Sequence, residues 1–400
     1  MKAPINRFAL ALVLIVALAM MPLAGCTTTS DGDGEDTTTD EAKDPIVIGA
    51  VISITGGYSG LGEPEKNAIE MEVARINEAG GINGHELEVI IEDDATDEAQ
   101  TVTATSKLIE QDEIVAIIGA TGTGQTMAMR GDIQRAGIPQ LSMAGGTVVT
   151  GDFDPLVFQT PWSNTLVVPF LMQHLQDEGI TKIGVIADSG GFGKDGVANI
   201  EGMVGDYGIT IVANETFNPG DTDMTAQLTK IKATDAEATV MWTAGSEAAI
   251  IASNAEQLQM GIPLYGSHGN ARQEFIDGAG AGAEGFMFPA GKVLLPEAYG
   301  EGTEGFEVAT DFVDRYTDEF GAAPSTFAGH AYDALYLIVE AAKTLDEGFT
   351  SAELRDAIEA TDAFVGIGGT FSFSAEDHNG LTADDLVLYK VENGEWVLVE

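Results

Sequence analysis

The stretch that decides the fold is IVIGAVISITGGYSGLGEPEKNAIEMEVARINEAGGINGHELEVIIEDDATDEAQTV, residues 46–102. Apolar, β-branched runs at 46–54 and 86–93 predict two strands. Between them, after a glycine-rich turn, apolar residues recur at helical spacing over 65–79. Strands that are apolar almost throughout are typical of parallel sheets covered by helices on both faces. The stretch therefore predicts a strand–helix–strand unit of an α/β protein.

The same alternation continues along the chain in two series. The first series continues with a helix over 98–111, a strand over 113–119 and a helix over 123–136. The second series consists of strands at 182–188, 209–217 and 238–242 and helices near 194–206, 222–233 and 246–260. Two such series predict two doubly wound α/β lobes with parallel sheets.

The C-terminal third has too few strands for a sheet of its own. Its predicted elements are helices near 306–320, 328–346 and 351–360 and strands near 370–373, 385–391 and 396–399. We therefore expect this third to complete the first two lobes.

Charge and cysteine content exclude several classes of function. The chain carries 64 Asp and Glu against 18 Lys and Arg, a formal net charge of −46. Binding to nucleic acid or to an anionic membrane surface needs clustered cations, so neither is expected as a partner. A single cysteine excludes a disulfide framework and any site built from several cysteines. The acidity suggests a surface adapted to salty surroundings, a hypothesis that unchanged stability in low salt would contradict.

The N-terminus resembles an export signal. Lys2 and Arg7 precede an apolar run at 8–23, which is shorter than the roughly 20 residues of a membrane-spanning helix. The run ends in Leu-Ala-Gly-Cys at 23–26, which resembles the lipobox of bacterial lipoproteins. The resemblance implies a signal peptide at 1–25, a lipidated Cys26 and an acidic tether over 26–44. The alternative is an ordinary signal peptide with a chance cysteine.

Motifs of catalysis are missing from the sequence. The sequence has no phosphate-binding loop, no nucleophile elbow and no paired histidines at metal-ligand spacing. We therefore expect a protein that is not an enzyme and that uses no metal or cofactor.

Two loops rich in hydrogen-bond donors follow neighbouring predicted strands. Gly119–Gly124 opens a helix and presents the hydroxyls of Thr121 and Thr123 beside free backbone amides, a setting that favours an anion. The alternative is a helix cap whose glycines serve only the turn. The second loop, 144–147, reads Ala-Gly-Gly-Thr. Two donor loops at the carboxyl ends of parallel strands indicate a ligand site.

Residues 46–102 resemble the substrate-binding proteins of ABC importers, in the branched-chain amino-acid (leucine/isoleucine/valine) binding family. The most specific similarity lies in Ala74–Ile82 and in Glu92-Asp93-Asp94. The similarity continues through 113–147, 181–193 and 262–291 and more faintly to the C-terminus.

The resemblance implies the type I periplasmic binding protein fold, in which two Rossmann-like lobes with parallel sheets are joined by three crossings. The crossings map near 162–165, 289–293 and 366–370. Lobe 1 then comprises 45–162 plus 292–367, and lobe 2 comprises 163–290 plus 368–400.

The implied function is capture of a small organic solute between closing lobes and its delivery to a membrane permease. The expected protein is extracytoplasmic, lipid-anchored and monomeric, with ABC permease subunits as partners. The solute is expected to be a branched-chain amino acid or a related carboxylate or amide. The alternative is a ligand-sensing receptor of the same fold, coupled to a signalling partner.

The resemblance also implies ligand-binding residues. Thr123, in a turn with Thr121 and Gly122, matches a hydroxyl that receives the ligand carboxylate. The other implied contacts are the backbone of Ala144, then Thr147 or its rival Gly146, and the aromatic side chains of Phe192 and Trp242. For both aromatic residues, core packing is the alternative.

Two positions depart from the family pattern. Leu61 stands where many members carry a tyrosine in the first turn. His268 aligns with the family's carboxylate that pairs with the α-ammonium of the ligand, and a neutral imidazole supplies no charge for that purpose. Either another acidic residue takes this role, or the ligand keeps a carboxylate but lacks a free α-ammonium. In the second case His268 would bind a polar group elsewhere on the ligand.

Overall fold

The computed structural model describes residues 43–111 and 113–399. The predicted signal peptide, Cys26 and all but the last two residues of the predicted tether lie outside this range.

The first sheet is formed by the N-terminal strands. All of its strands are parallel, and its described strands run in the order β2-β1-β3-β4-β5. They are β1 (Ile46–Ile52), β2 (Leu87–Asp93), β3 (Ile117–Gly119), β4 (Gln140–Ser142) and β5 (Val157–Gln159). Strand β1 pairs along its whole length with β2 and is nearly all buried, as its apolar sequence predicts.

The second sheet combines strands from the middle and the end of the chain. Within the described residues its order is β14-β13-β10-β9-β8-β6-β7. The strands are β6 (Lys182–Asp188), β7 (Thr210–Phe217), β8 (Ala238–Trp242), β9 (Leu264–Tyr265), β10 (Met287–Ala290), β13 (Val387–Glu392) and β14 (Glu395–Leu398). A separate hairpin joins β11 (Phe364–Val365) to β12 (Thr370–Phe371). Strands β13 and β14 are antiparallel to their neighbours, so this sheet is mixed rather than wholly parallel.

Helices cover both sheets. The helices packed around the first sheet are α1 (Ser59–Glu78), α2 (Glu98–Gln111), α3 (Thr123–Ala136), α4 (Val148–Gly151), α10 (Glu304–Phe320), α11 (Thr326–Lys343) and α12 (Ser351–Glu359). Those around the second sheet are α5 (Asn164–Asp177), α6 (Gly191–Met203), α7 (Thr225–Lys232), α8 (Glu247–Gln257) and α9 (Gln273–Ala279). We call the two groups the first and second lobe. Among the residues described, no helix has the length and apolar character needed to cross a membrane.

The two-lobed α/β prediction is confirmed. The predicted bounds of α2 and α3 match the observed ones, and the C-terminal third divides between the lobes as expected. The finer lobe boundaries drawn from the resemblance stay a prediction.

Helix α1 begins at Ser59, six residues earlier than predicted. Glycine and proline are poor helix formers. Because Gly60, Gly62 and Pro64 lie in this first turn, the sequence pattern did not predict it as helical. A Cβ at Gly62 would collide with the backbone of Ser53 at the end of β1. The glycine is therefore required by the close approach of the helix to the strand.

A buried carboxylate joins three helices of the first lobe. Glu72 on α1 is fully buried and forms an ion pair with Arg315 on α10. Its second oxygen accepts a hydrogen bond of 2.7 Å from the hydroxyl of Tyr336 on α11. Because the charge is both paired and hydrogen-bonded, its burial is tolerated.

A second buried carboxylate fixes the segment that leads back to the second lobe. The two oxygens of Asp333 on α11 accept hydrogen bonds from the backbone amides of Ile367, at 2.6 Å, and Gly368, at 2.7 Å. Burial raises the pKa of Asp333 to about 8.

We expect Asp333→Asn to lower the free energy of unfolding by about 2 kcal/mol, because the amide nitrogen cannot accept a bond and leaves one buried N–H unpaired. The measurement is denaturant unfolding at pH 9, where the carboxylate of Asp333 is ionised. Asp318→Asn, at an exposed position of α10, is the matched control. Equal stability of the two variants would show that Asp333 does not hold this segment.

Candidate ligand-binding site

A cavity lies between the two lobes. It comprises about 340 Å³ of empty space, counted with its opening to solvent. Its lining consists of Tyr58, Leu61, Thr121, Gly122, Thr123, Met143, Gly145, Pro161, Phe192, Ala244, His268, Gly269, Phe327 and His330. Phe192, Ala244, His268 and Gly269 come from the second lobe, so the cavity exists only while the lobes are together.

The N-terminus of α3 borders this cavity, which Gly122 and Thr123 line. Gly122 is the N-cap and provides no side-chain cap, and the first turn of α3 carries no acidic residue. The Thr123 hydroxyl is buried and has no hydrogen-bond partner among the described residues. Free amides, an unpaired hydroxyl and the positive end of the helix dipole together favour an anionic group here.

Thr121 lines the cavity, but its hydroxyl is already engaged. It donates a hydrogen bond of 2.5 Å to Glu65 on α1 and accepts one of 3.0 Å from the backbone N–H of Ser53. Glu65 is fully buried, and burial raises its pKa well above the usual range. Thr121 therefore holds the turn in place, and Thr123 is the hydroxyl left for a ligand.

The loop after β4 does not place its predicted residues on the cavity wall. The carbonyl of Ala144 accepts a hydrogen bond of 2.7 Å from the side chain of Gln159. Gly146 lies against the side chain of Thr123, and the backbone N–H of Thr147 donates to Asp195. In the part of the chain described, Ala144, Gly146 and Thr147 are outside the lining.

Met143 and Gly145 contribute the wall from this loop instead. A Cβ at Gly145 would collide with Nε2 of His268. The glycine therefore lets the second lobe close onto the first.

Of the two predicted aromatic contacts, Phe192 lines the cavity and Trp242 does not. Trp242 is fully buried behind Phe192, with ring centroids 6.3 Å apart in a stacked arrangement. Gly196 leaves room for the indole, because a Cβ there would collide with it. Trp242 thus supports Phe192 from the core of the second lobe.

His268 lines the cavity as expected and is uncharged. Burial lowers its pKa to about 3. Its Nδ1 atom is buried and lacks a hydrogen-bond partner within the described chain. The ring is positioned by a short turn in which Ser267 and Asn270 cap each other's backbone.

Several lining residues had no signal in the sequence. Phe327 and His330 lie on α11, far along the chain from every predicted contact. His330 resembles His268, because burial lowers its pKa to about 3 and its Nδ1 has no partner in the described residues. The available clue was a lone histidine within a largely apolar helix.

The cavity contains no formal charge. None of its described lining residues is Asp, Glu, Lys or Arg. Glu65 lies directly behind the lining residue Thr121, to which it is hydrogen-bonded, and is not itself part of the described lining. Asp188 and Glu247 line a neighbouring cavity that shares only Tyr58 with this one. The lining therefore provides neutral donors and acceptors on an apolar wall.

One carboxylate holds the lobes together beside the cavity. Asp195 on α6 accepts hydrogen bonds from the backbone amides of Thr147, at 2.7 Å, and Val148, at 3.3 Å, in the first lobe. It also accepts one of 2.7 Å from the side chain of Asn164 on α5. The two lobes are therefore in direct contact beside the cavity.

Comparisons with known proteins agree with this architecture. A family model described as periplasmic binding protein matches residues 45–395. The leucine-, isoleucine-, valine-, threonine- and alanine-binding protein of Pseudomonas aeruginosa is 24% identical over 75% of this chain and 78% of its own length.

Two solved structures are also similar. An extracellular ligand-binding receptor from Rhodopseudomonas palustris HaA2 superposes with a TM-score of 0.82 at 27% identity, covering 90% of this chain and all of the other. The branched-chain amino acid transporter substrate-binding protein LivJ from Streptococcus pneumoniae, in complex with isoleucine, gives 0.78 at 28% identity, covering 89% of this chain and all of the other. The chain therefore belongs to the periplasmic binding protein family, and its relatives include Leu/Ile/Val-binding members of that family.

Proposed function

We propose that this extracytoplasmic protein is the solute-binding lipoprotein of an ABC importer and captures a small organic carboxylate that lacks an α-ammonium group. The observation that carries the proposal is the cavity between the lobes, which offers an anion site at the N-terminus of α3 and has no charged residue in its described lining. Binding and release complete the role, with no catalytic step.

The anion site fits a carboxylate. The Thr123 hydroxyl and the free amides at the start of α3 can donate to its oxygens. Such charge-assisted hydrogen bonds are worth about 1.5–3 kcal/mol each. A carboxylate can therefore be held without a lysine or arginine.

The rest of the cavity fits an apolar body. Leu61, Met143, Phe192 and Phe327 supply aliphatic and aromatic surface from both lobes. A solute that fills this space buries apolar area only when the lobes close, so binding favours closure.

The pneumococcal relative was crystallised with isoleucine, which has a carboxylate and a branched apolar side chain. The present cavity suits both of these groups but not the third, the ammonium. Burying an ammonium without an anionic partner is costly, and the nearby imidazole of His268 is neutral. This mismatch supports a carboxylate without an α-ammonium over an amino acid.

The proposed location depends on the N-terminal motif. Cys26 would carry the lipid anchor, and residues 27–44 would form the spacer that lets the lobes reach an ABC permease. Family membership supports an extracytoplasmic location.

Replacing Cys26 with serine tests the anchor. We expect the protein to move from the membrane fraction to the soluble fraction after expression in a bacterial host, because serine cannot carry the thioether-linked lipid. Retention of the variant in the membrane fraction would contradict the lipoprotein assignment.

Removing the hydroxyl of Thr123 tests the anion site. Thr123→Val keeps the shape of the side chain and removes one charge-assisted hydrogen bond, so we expect the affinity for 4-methylpentanoate to fall at least tenfold. Isothermal titration measures the effect. Thr103→Val, on the exposed face of α2, is the control and should change the affinity less than twofold. Equal affinities of the two variants would show that Thr123 does not hold the carboxylate.

A matched pair of ligands tests the solute class. Leucine and 4-methylpentanoate differ only in the α-ammonium, and we expect 4-methylpentanoate to bind at least tenfold more tightly. Because the pKa of His268 is about 3, the preference should not change between pH 5.5 and 8. Tight binding of leucine that survives His268→Ala would overturn the proposed class and return the protein to amino-acid transport.

A further inference from the structure

We infer that His268 and His330 together form a second polar subsite that binds an uncharged hydroxyl group of the captured solute. The inference deepens the proposed function and rests on it, because it concerns the same cavity and the same carboxylate. Neither residue alone defines the subsite, since His268 belongs to the second lobe and His330 to α11 of the first.

Both imidazoles line the cavity and carry unsatisfied polar atoms. Their exposed fractions are 4% for His268 and 2% for His330. In each ring Nδ1 is buried and lacks a hydrogen-bond partner among residues 43–111 and 113–399. Buried polar atoms are nearly always paired, so two unpaired atoms in residues that line the same cavity indicate a missing partner.

Aromatic rings pack around the two imidazoles, and no hydrogen bond joins either Nδ1 atom to them in the described residues. Trp162 packs edge-on against both, with centroid distances of 6.5 Å to His268 and 5.1 Å to His330. Phe192 meets His268 at 5.4 Å and Phe327 meets His330 at 5.8 Å, both nearly perpendicular. The rings therefore have little freedom to turn toward another polar group, and a ligand can satisfy them where they stand.

The chemistry of a neutral imidazole selects the ligand group. Burial keeps both rings uncharged, so each has one N–H donor and one lone pair. A hydroxyl can accept from one ring and donate to the other, and it is the smallest uncharged group that does both. An ammonium can only donate, and a second carboxylate would be a buried charge that can only accept.

Leaving the rings unpaired carries a penalty when the lobes close. An unsatisfied buried polar group is unfavourable in any closed complex whose ligand is wholly apolar at this point. A hydroxylated solute avoids the penalty for both rings. The preference between two otherwise identical solutes should therefore be large.

Substituted benzoates test the subsite. Titration of the wild-type protein compares benzoate with its 2-, 3- and 4-hydroxy isomers and with the corresponding methyl isomers, which match the hydroxyl in size. We expect at least one hydroxy isomer to bind at least tenfold more tightly than benzoate and than its methyl counterpart. If no hydroxy isomer is preferred, the subsite does not exist.

Variants then assign the preference to the two residues. His330→Phe should reduce the preference for the hydroxy isomer over benzoate to less than threefold, because a phenyl ring neither donates nor accepts a hydrogen bond. His330→Gln retains a donor and an acceptor and should restore part of the preference. His174→Gln, on α5 outside the cavity lining, is the control and should keep the full preference. An undiminished preference in His330→Phe would overturn the role of His330.

The ligand series also separates the subsite from the proposed function. If benzoates and 4-methylpentanoate all fail to bind while leucine binds, the proposed solute class is wrong. If benzoate binds as tightly as every hydroxy isomer, the solute class stands and only the subsite is refuted. Because these outcomes come from wild-type protein, they do not depend on whether a variant folds.

Discussion

The interaction on which the site depends is the contact of Asp195 with the opposite lobe. Its carboxylate accepts two backbone hydrogen bonds from Thr147 and Val148 and a third from Asn164. These bonds fix the loop after β4 against α6. With the loop in this position, Gly145 lies against His268, and the cavity is closed by residues from both lobes. Without closure, water would hydrate the polar atoms of the cavity, and these atoms would not discriminate between solutes.

The charge of the whole protein and the neutrality of the cavity act at different ranges. A net charge of −46 repels an anionic solute at a distance, although salt limits that field to about 8 Å at physiological ionic strength. Inside the cavity, a solute of the proposed class would meet amides, a hydroxyl and neutral imidazoles at contact distance. Short-range donors at a helix N-terminus can hold a carboxylate in spite of the long-range field. The net negative charge is therefore a property of the protein surface. In the proposed function, the residues that line the cavity decide which solute is bound.

The fold could be predicted from sequence because local patterns determine it. Apolar strands alternating with helices gave two α/β lobes, and the resemblance of residues 46–102 led to the family that the comparisons confirm. The antiparallel strands β13 and β14 were missed as such, since strand direction depends on pairing with β10 across about a hundred residues.

Predicted site residues that lie on strand-to-helix turns line the cavity, whereas the place of the others depends on side-chain packing. Thr123 and Phe192 follow strands β3 and β6, and both line the cavity. Trp242 also ends a strand, yet it is buried behind Phe192, a distinction that depends on side-chain packing across the lobe. His330 was missed because it reaches the cavity from α11, and nothing near it in sequence marks a binding site.

Selectivity in such a cavity depends more on the polar atoms left unpaired than on the apolar surface. Aromatic and aliphatic side chains bind any apolar solute of suitable size. One methylene group more or less changes the binding free energy by only about 1–3 kcal/mol. A ligand that leaves a buried polar atom without a hydrogen-bond partner loses much more affinity than one that lacks a methylene group. The cavity has such atoms in Thr123, His268 and His330, on three different elements of the fold. Closure of the lobes brings His268 to the other two, so in the proposed function the step that traps the solute is also the step that tests its identity.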